Sequence, residues 1–192
     1  MNKKVNLIDQ FITHQPTKIY KKKRIVTNLS RITKSKCNHE FALVANKINA
    51  QCNAYGTINY FEYFSLFDKL KAYNYLGKYD IHNVYEKIKH SRFVVDLSEY
   101  KNDGDRPQFT ILEAMANKSV PVIKKQWCGR MQNYKHCLAV EHFTELSEII
   151  NSTVDNKELL EEINLNNAKL LETVFNQKIC VKKYKRCFDD IE

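Results

Sequence analysis

The segment Ser30-Arg31-Ile32-Thr33-Lys34-Ser35-Lys36-Cys37 sets basic side chains close together, directly after an apolar run and directly before a helical pattern. Arginine and lysine at the carboxyl end of a strand, beside a helix N-terminus that already favours negative charge, have the chemistry of an anion clamp, and a diphosphate is the anion they suit. Further along, Asp103 and Asp105 lie in the turn-rich segment Asn102-Asp103-Gly104-Asp105-Arg106-Pro107, and Glu113 follows eight positions after Asp105. Glu113 sits inside the otherwise apolar run Phe109-Thr110-Ile111-Leu112-Glu113-Ala114-Met115-Ala116, where a carboxylate needs a partner if it is buried. A solvated basic loop and an exposed surface glutamate are the competing readings of the two segments. His39, His82, His90, His136 and His142 show no metal-ligand spacing, so no metal site is expected, and no Ser/His/Asp or Cys/His arrangement follows from residue order.

The elements that must carry these residues follow from periodicity. Arg24 opens the regular fold: Ile25 to Leu29 reads as a buried strand, and Phe41, Val44, Ala45 and Ile48 share one face of a helix over 38–49. A weak strand is expected over 54–58, partial helix in the aromatic stretch 60–73, and a short strand over 73–76 that ends at Gly77. Ile81, Val84, Tyr85 and Ile88 recur at helical spacing, and 92–97 is a continuous β-branched and aromatic run. A helix over 109–117 and strands over 120–123 and 137–140 follow, and 144–190 reads as two or three helices. Strands that are uniformly apolar and alternate with helices predict an α/β fold, a Rossmann-like parallel sheet with helices on both faces. Residues 1–22 read as a lead-in or linker and 23–192 as one domain. Such sheets bind ligands beyond the carboxyl ends of their strands.

The string from Asp105 through Leu112-Glu113-Ala114-Met115-Ala116-Asn117-Lys118-Ser119-Val120-Pro121-Val122-Ile123 resembles the acidic-x7-Glu segment of family 4 retaining glycosyltransferases, whose pattern continues Glu-Ala-Met-Ala-x-Gly-x-Pro-Val. The Arg31 to Lys36 spacing is similar to that family's Gly-Arg-x4-Lys-Gly turn, and Tyr75-Leu76-Gly77 resembles its third strand. The order of elements agrees from about residue 24 to 185. The resemblance implies a single C-terminal-type GT-B domain that holds a nucleoside-diphosphate sugar as donor substrate, with no bound cofactor. It implies that Arg31 and Lys36 neutralise the diphosphate, that the backbone amides of Phe109 and Thr110 meet the phosphates, and that Arg106 adds a side-chain donor. Asp105 and Glu113 become the catalytic-site carboxylates, Asp105 toward sugar hydroxyls and Glu113 toward the donor ribose. The chain departs from the pattern where Asp replaces Glu at position 105, where Arg106 and Pro107 replace glycines, and where Ser30, Cys37 and Ser119 stand at glycine positions. The family's N-terminal half, which supplies the acceptor site, has no counterpart in residues 1–22.

Bulk properties narrow the partners. With 43% hydrophobic and 11% aromatic residues the chain builds a real core. Its apolar runs are far shorter than the ~20 residues of a membrane span, and no signal-peptide core opens it, so a cytoplasmic protein without a transmembrane segment is expected. The six cysteines lack Cys-x-x-Cys spacing and are expected to be reduced and mostly buried. A net charge of +9 favours an anionic partner: a nucleotide sugar, or nucleic acid, since the α-glucosyltransferases of T-even phages have a similar C-terminal half. Heavy use of Lys, Asn, Ile and Tyr is the composition of AT-rich coding genomes, as in many viruses. Three readings stand: a glycosyltransferase that needs an N-terminal-half partner or a second copy, a non-catalytic binding or structural subunit of the same fold, and a phage-type enzyme acting on nucleic acid.

Overall fold

The computed structural model describes residues 16–59, 74–80, 82–99, 108–128 and 136–189. Six strands, β1 (Lys23–Leu29), β2 (Gln51–Tyr55), β3 (Asn74–Tyr75), β4 (Ser91–Asp96), β5 (Val120–Lys124) and β6 (Leu138–Val140), form one sheet in the order β3-β2-β1-β4-β5-β6, and every pair is parallel. The helices are α1 (Asn38–Val44), α2 (Val84–Ile88), α3 (Phe109–Ala116), α4 (Leu146–Thr153), α5 (Lys157–Thr173) and α6 (Gln177–Asp189). None of the described helices is long and apolar enough to cross a membrane.

The central strands are apolar on both faces because both are covered. Val26, Phe93, Val95 and Val122 point into a core shared with Phe41 of α1 and with Leu146 and Ile150 of α4. Leu29 and Val94 point the other way, toward Val84 and Ile88 of α2 and Ala114 of α3. A third cluster packs Ile111, Leu112 and Met115 of α3 against Ile123, Trp127 and Phe175. The α/β Rossmann-like architecture expected from the alternating pattern is the one observed.

Several boundaries move. The first helix gives way at Ala45 to a 3-10 turn, Ala45–Lys47. β2 lies three residues before its expected place, and of the expected 54–58 segment only Ile58 pairs further, in an isolated bridge to Ile32. Gly56 explains the shift. A Cβ built on it would lie 1.8 Å from the Ser30 carbonyl oxygen, so the chain leaves β2 where its backbone passes directly under the turn that follows β1. The expected stretch 60–73, Ile81, and the turn 102–107 lie outside the described residues. Of the six cysteines, Cys37, Cys52, Cys128, Cys137 and Cys180 are free and buried.

Because the atom facing Gly56 is backbone, no side chain can move aside to admit a methyl group. Gly56→Ala is expected to destabilise the fold by about 3 kcal/mol or more, measured as a lower urea midpoint at unchanged slope.

Candidate functional site

In this strand order the connections leave β1 and β4 in opposite directions, and the crevice beyond their carboxyl ends is the natural ligand site. The turn after β1 is fixed there by buried polar groups. Asn38, the first residue of α1, donates from Nδ2 to Asn28 Oδ1 and to Ser30 Oγ, both at 2.8 Å, and accepts at Oδ1 from the Thr33 amide at 3.2 Å. Asn28 in turn donates to the Val95 carbonyl at 3.0 Å, which ties the turn to β4. Arg31 is exposed on this frame, Ile32 is buried beneath it, and Lys36 is half-buried. Cys37 adopts a left-handed backbone, φ 50°, a conformation that glycine takes freely and that costs any other residue strain.

The second functional element meets the first. Thr110 Oγ1 donates to the Leu29 carbonyl at 3.1 Å, which seats the first turn of α3 on the end of β1. Lys36 Nζ donates to Gln108 Oε1 at 3.0 Å, so a cation of the β1 turn reaches the residue that precedes α3. Gln108 is the N-cap by position, yet its side chain does not cap the helix. The amides of Phe109 and Thr110, the first of α3, have no intrahelical acceptors. Glu99, just past β4, adds a second strand end, its amide donating to the Ser35 carbonyl at 2.9 Å, and Trp127 Nε1 donates to the Ser98 carbonyl at 2.8 Å. The tryptophan is a buried tie between β5 and the β4 turn.

Glu113 is half-buried among Tyr79, Tyr85 and the start of α3, and burial pushes its carboxyl up to about 7. Tyr79 is pushed up to about 12 by burial and by the Glu113 charge; it hydrogen bonds with Thr110, and the charges of Asp96 and Arg31 also act on it. Burial and the same carboxylate raise Tyr85. Arg31, Lys36, Phe109, Thr110 and Glu113 therefore gather at one edge. Asp105 and Arg106, with Asp103, lie outside the described residues.

Asp96 was not singled out by its pattern, because it closes the uniformly apolar run of β4. It is buried, 3% exposed; Oδ1 accepts from the Ser98 amide at 3.0 Å and from the Ser98 hydroxyl, while Oδ2 is buried without a hydrogen-bond partner. A carboxylate ending a buried strand at the switch point was the available signal. Counted forward from Glu113, the late glycine of the resembled pattern falls on Lys118 rather than on Ser119, and Lys118 has the left-handed backbone, φ 54°; the Ser119 hydroxyl donates to the Ser91 carbonyl at 2.8 Å.

The raised carboxyl makes stability depend on pH with a defined sign. Between pH 4.5 and about 7 the folded protein holds a proton on Glu113 that the unfolded chain has released, so folding stability falls as pH rises through that window. Glu113→Gln removes the penalty. The variant is expected to exceed the wild type in unfolding free energy at pH 8, by on the order of 3 kcal/mol at most, and the gap should close toward pH 4.5. Urea denaturation of both proteins across this range checks it.

No protein-family model matches the sequence, and no curated protein matches it. Solved structures do match its fold. A variant of Staphylococcus aureus TarM, in complex with UDP among other ligands, superimposes with a TM-score of 0.74 at 18% identity, covering 94% of this chain and 38% of that one. Anabaena HepE in complex with UDP-glucose gives 0.71 at 14% identity, over 88% of this chain and 48% of that one. Sucrose-phosphate synthase from Thermosynechococcus elongatus gives 0.75 at 14%, over 87% and 45%. The chain thus spans between about two-fifths and one-half of the length of these proteins. Its fold is the Rossmann-like α/β fold found in GT-B glycosyltransferases.

Proposed function

We propose that this chain is the nucleotide-sugar-binding half of a glycosyltransferase, holding a nucleoside-diphosphate sugar where the β1 turn meets α3. The observation that carries the reading is the reach of Lys36 to Gln108, which sets a β1 cation against the uncapped start of α3. A diphosphate at that place meets Arg31 and Lys36 from one side and the amides of Phe109 and Thr110 from the other. As the bond to the sugar breaks, negative charge accumulates on the departing diphosphate. Fixed cations and the positive end of a helix favour that charge more than the ground state, which is the condition for catalysis rather than binding alone.

Glu113 faces the ribose, whose two hydroxyls donate to a carboxylate that must be ionised to accept both. Asp105 contacts hydroxyls of the donor sugar and Arg106 supplies a further donor to phosphate, with the retaining outcome that the Asp-x7-Glu resemblance implies. Acceptor groups come from a further GT-B half, on the same polypeptide, on a partner chain or on a second copy. The share of the matched proteins that this chain spans, 38% to 48%, supports that division. The charge of +9 leaves nucleic acid as the alternative acceptor.

Calorimetry with uridine, guanosine and adenosine diphosphate sugars tests the proposal. One donor is expected to bind, and its affinity to rise between pH 6 and 8 as Glu113 loses its proton. Lys36→Gln should weaken binding by about tenfold or more, the scale of a charge-assisted hydrogen bond, and Glu113→Gln should weaken it and flatten the pH dependence. If none of the donors binds, the reading fails. Binding with neither hydrolysis nor transfer, in the presence of an acceptor half, assigns the chain to a non-catalytic subunit instead.

A further inference from the structure

The opposite edge of the sheet, where the strands begin, carries a cavity of about 410 Å³ bounded by the chain ahead of β1, the starts of β4 and β5, the turn after α3 and the first turns of α5. Five cations line it, Lys21, Lys22, Arg92, Lys118 and Lys157, against the carboxylates of Asp155 and Glu161. Of the two carboxylates, Asp155 is engaged by Arg24, which stands outside the lining, and lies 4.0 Å from Arg92. The positive charge inside therefore exceeds what the protein neutralises.

Three further observations bear on what this edge holds. Lys22 is half-buried, and its ammonium donates to the Lys89 carbonyl at 3.0 Å, an uncharged partner that leaves its charge uncompensated. Burial pushes that ammonium down to about 8, the direction expected when no anion stands beside it. Lys118 occupies a left-handed backbone position, φ 54°, that glycine would adopt without strain. Lys118 lines both this cavity and an adjoining one of about 480 Å³, and Asn164 is shared between the two as well. Finally, α5 presents its N-terminal turn, and so the positive end of its dipole, to the same space, with the Leu159 amide taken by the Asn156 side chain at 3.1 Å.

We propose that this cavity is a second anion site that takes a phosphate group, separate from the donor site at the other edge of the sheet. Lysine ammoniums act as point charges that gather around a compact multiply charged anion such as phosphate, and a guanidinium meets phosphate through paired donors. Here the Arg92 guanidinium is already committed to the Val154 carbonyl, and lysines supply the remainder. The phosphate is either free or borne by a ligand whose body extends into the adjoining cavity past Lys118.

Titration of the full ¹⁵N-labelled chain with inorganic phosphate, at ionic strength held constant with chloride, tests the site. The amides of Lys21, Lys22, Lys118 and Lys157 are expected to follow one saturating isotherm. Lys22→Gln combined with Lys157→Gln should weaken it about tenfold, and Lys36→Gln, at the donor edge, should leave it unchanged. Lys118→Gly serves as the second variant: glycine suits that backbone, so the protein should melt higher while binding phosphate several-fold more weakly. Glycerol 3-phosphate distinguishes the sources. Tighter binding than inorganic phosphate assigns a ligand-borne group, and equal or weaker binding assigns the free ion. Shifts that rise linearly without saturating, or an isotherm that both sets of substitutions leave intact, would overturn the proposal. Loss of donor binding in Lys36→Gln bears only on the donor site, so the two proposals fail separately.

Discussion

One buried carboxamide holds the candidate site's edge of the sheet together. Asn38 is 1% exposed and spends its side chain on Asn28, Ser30 and the Thr33 amide, so the end of β1, the turn and the start of α1 form one hydrogen-bonded unit. Each bond contributes only about 1 kcal/mol net, but removing the amide would strand several buried polar atoms, each costing about 1–3 kcal/mol. The turn is rigid for that reason. Gly56 confines it from below, since the Ser30 carbonyl occupies the space where any other residue would put its Cβ.

A rigid turn matters because the site is shared between elements distant in sequence. Thr110 joins α3 to β1 across 81 residues, and Lys36 joins the turn to Gln108 across 72. Hydrophobic packing on both faces sets the sheet, but it does not orient a cation toward a helix end. That orientation comes from a few polar contacts whose alternatives are unsatisfied groups in a dry interior.

Periodicity made the architecture legible, since uniformly apolar segments such as Phe93 to Val95 have few ways to be buried other than in a parallel sheet. Arg31, Lys36, Thr110 and Glu113 were legible from spacing and resemblance, and the fold brings them to one edge. What escaped the pattern depended on tertiary contact. β2 is displaced because Gly56 meets Ser30 from elsewhere in the chain, and no local signal encodes that approach. Asp96 hid inside an apolar run because burial and strand propensity do not distinguish a carboxylate held by Ser98 from its neighbours. The left-handed position is Lys118 rather than Ser119: this chain has one residue more between Ala116 and Pro121 than the pattern, so counting back from Pro121 misplaces the glycine, whereas counting forward from Glu113 along α3 places it correctly.

Glu113 shows what the site costs the fold. A glutamine there would fill nearly the same space without a charge to desolvate, so on stability alone the carboxylate is the poorer residue. Burial is what raises its carboxyl, and its charge in turn makes the phenols of Tyr79 and Tyr85 harder to ionise. A partner that donates hydrogen bonds to the ionised form reverses the balance, because it satisfies the oxygens that burial has stripped of water. The free energy withheld from folding is then returned on binding, and a carboxyl poised near neutrality becomes a group whose proton and whose ligand exclude one another.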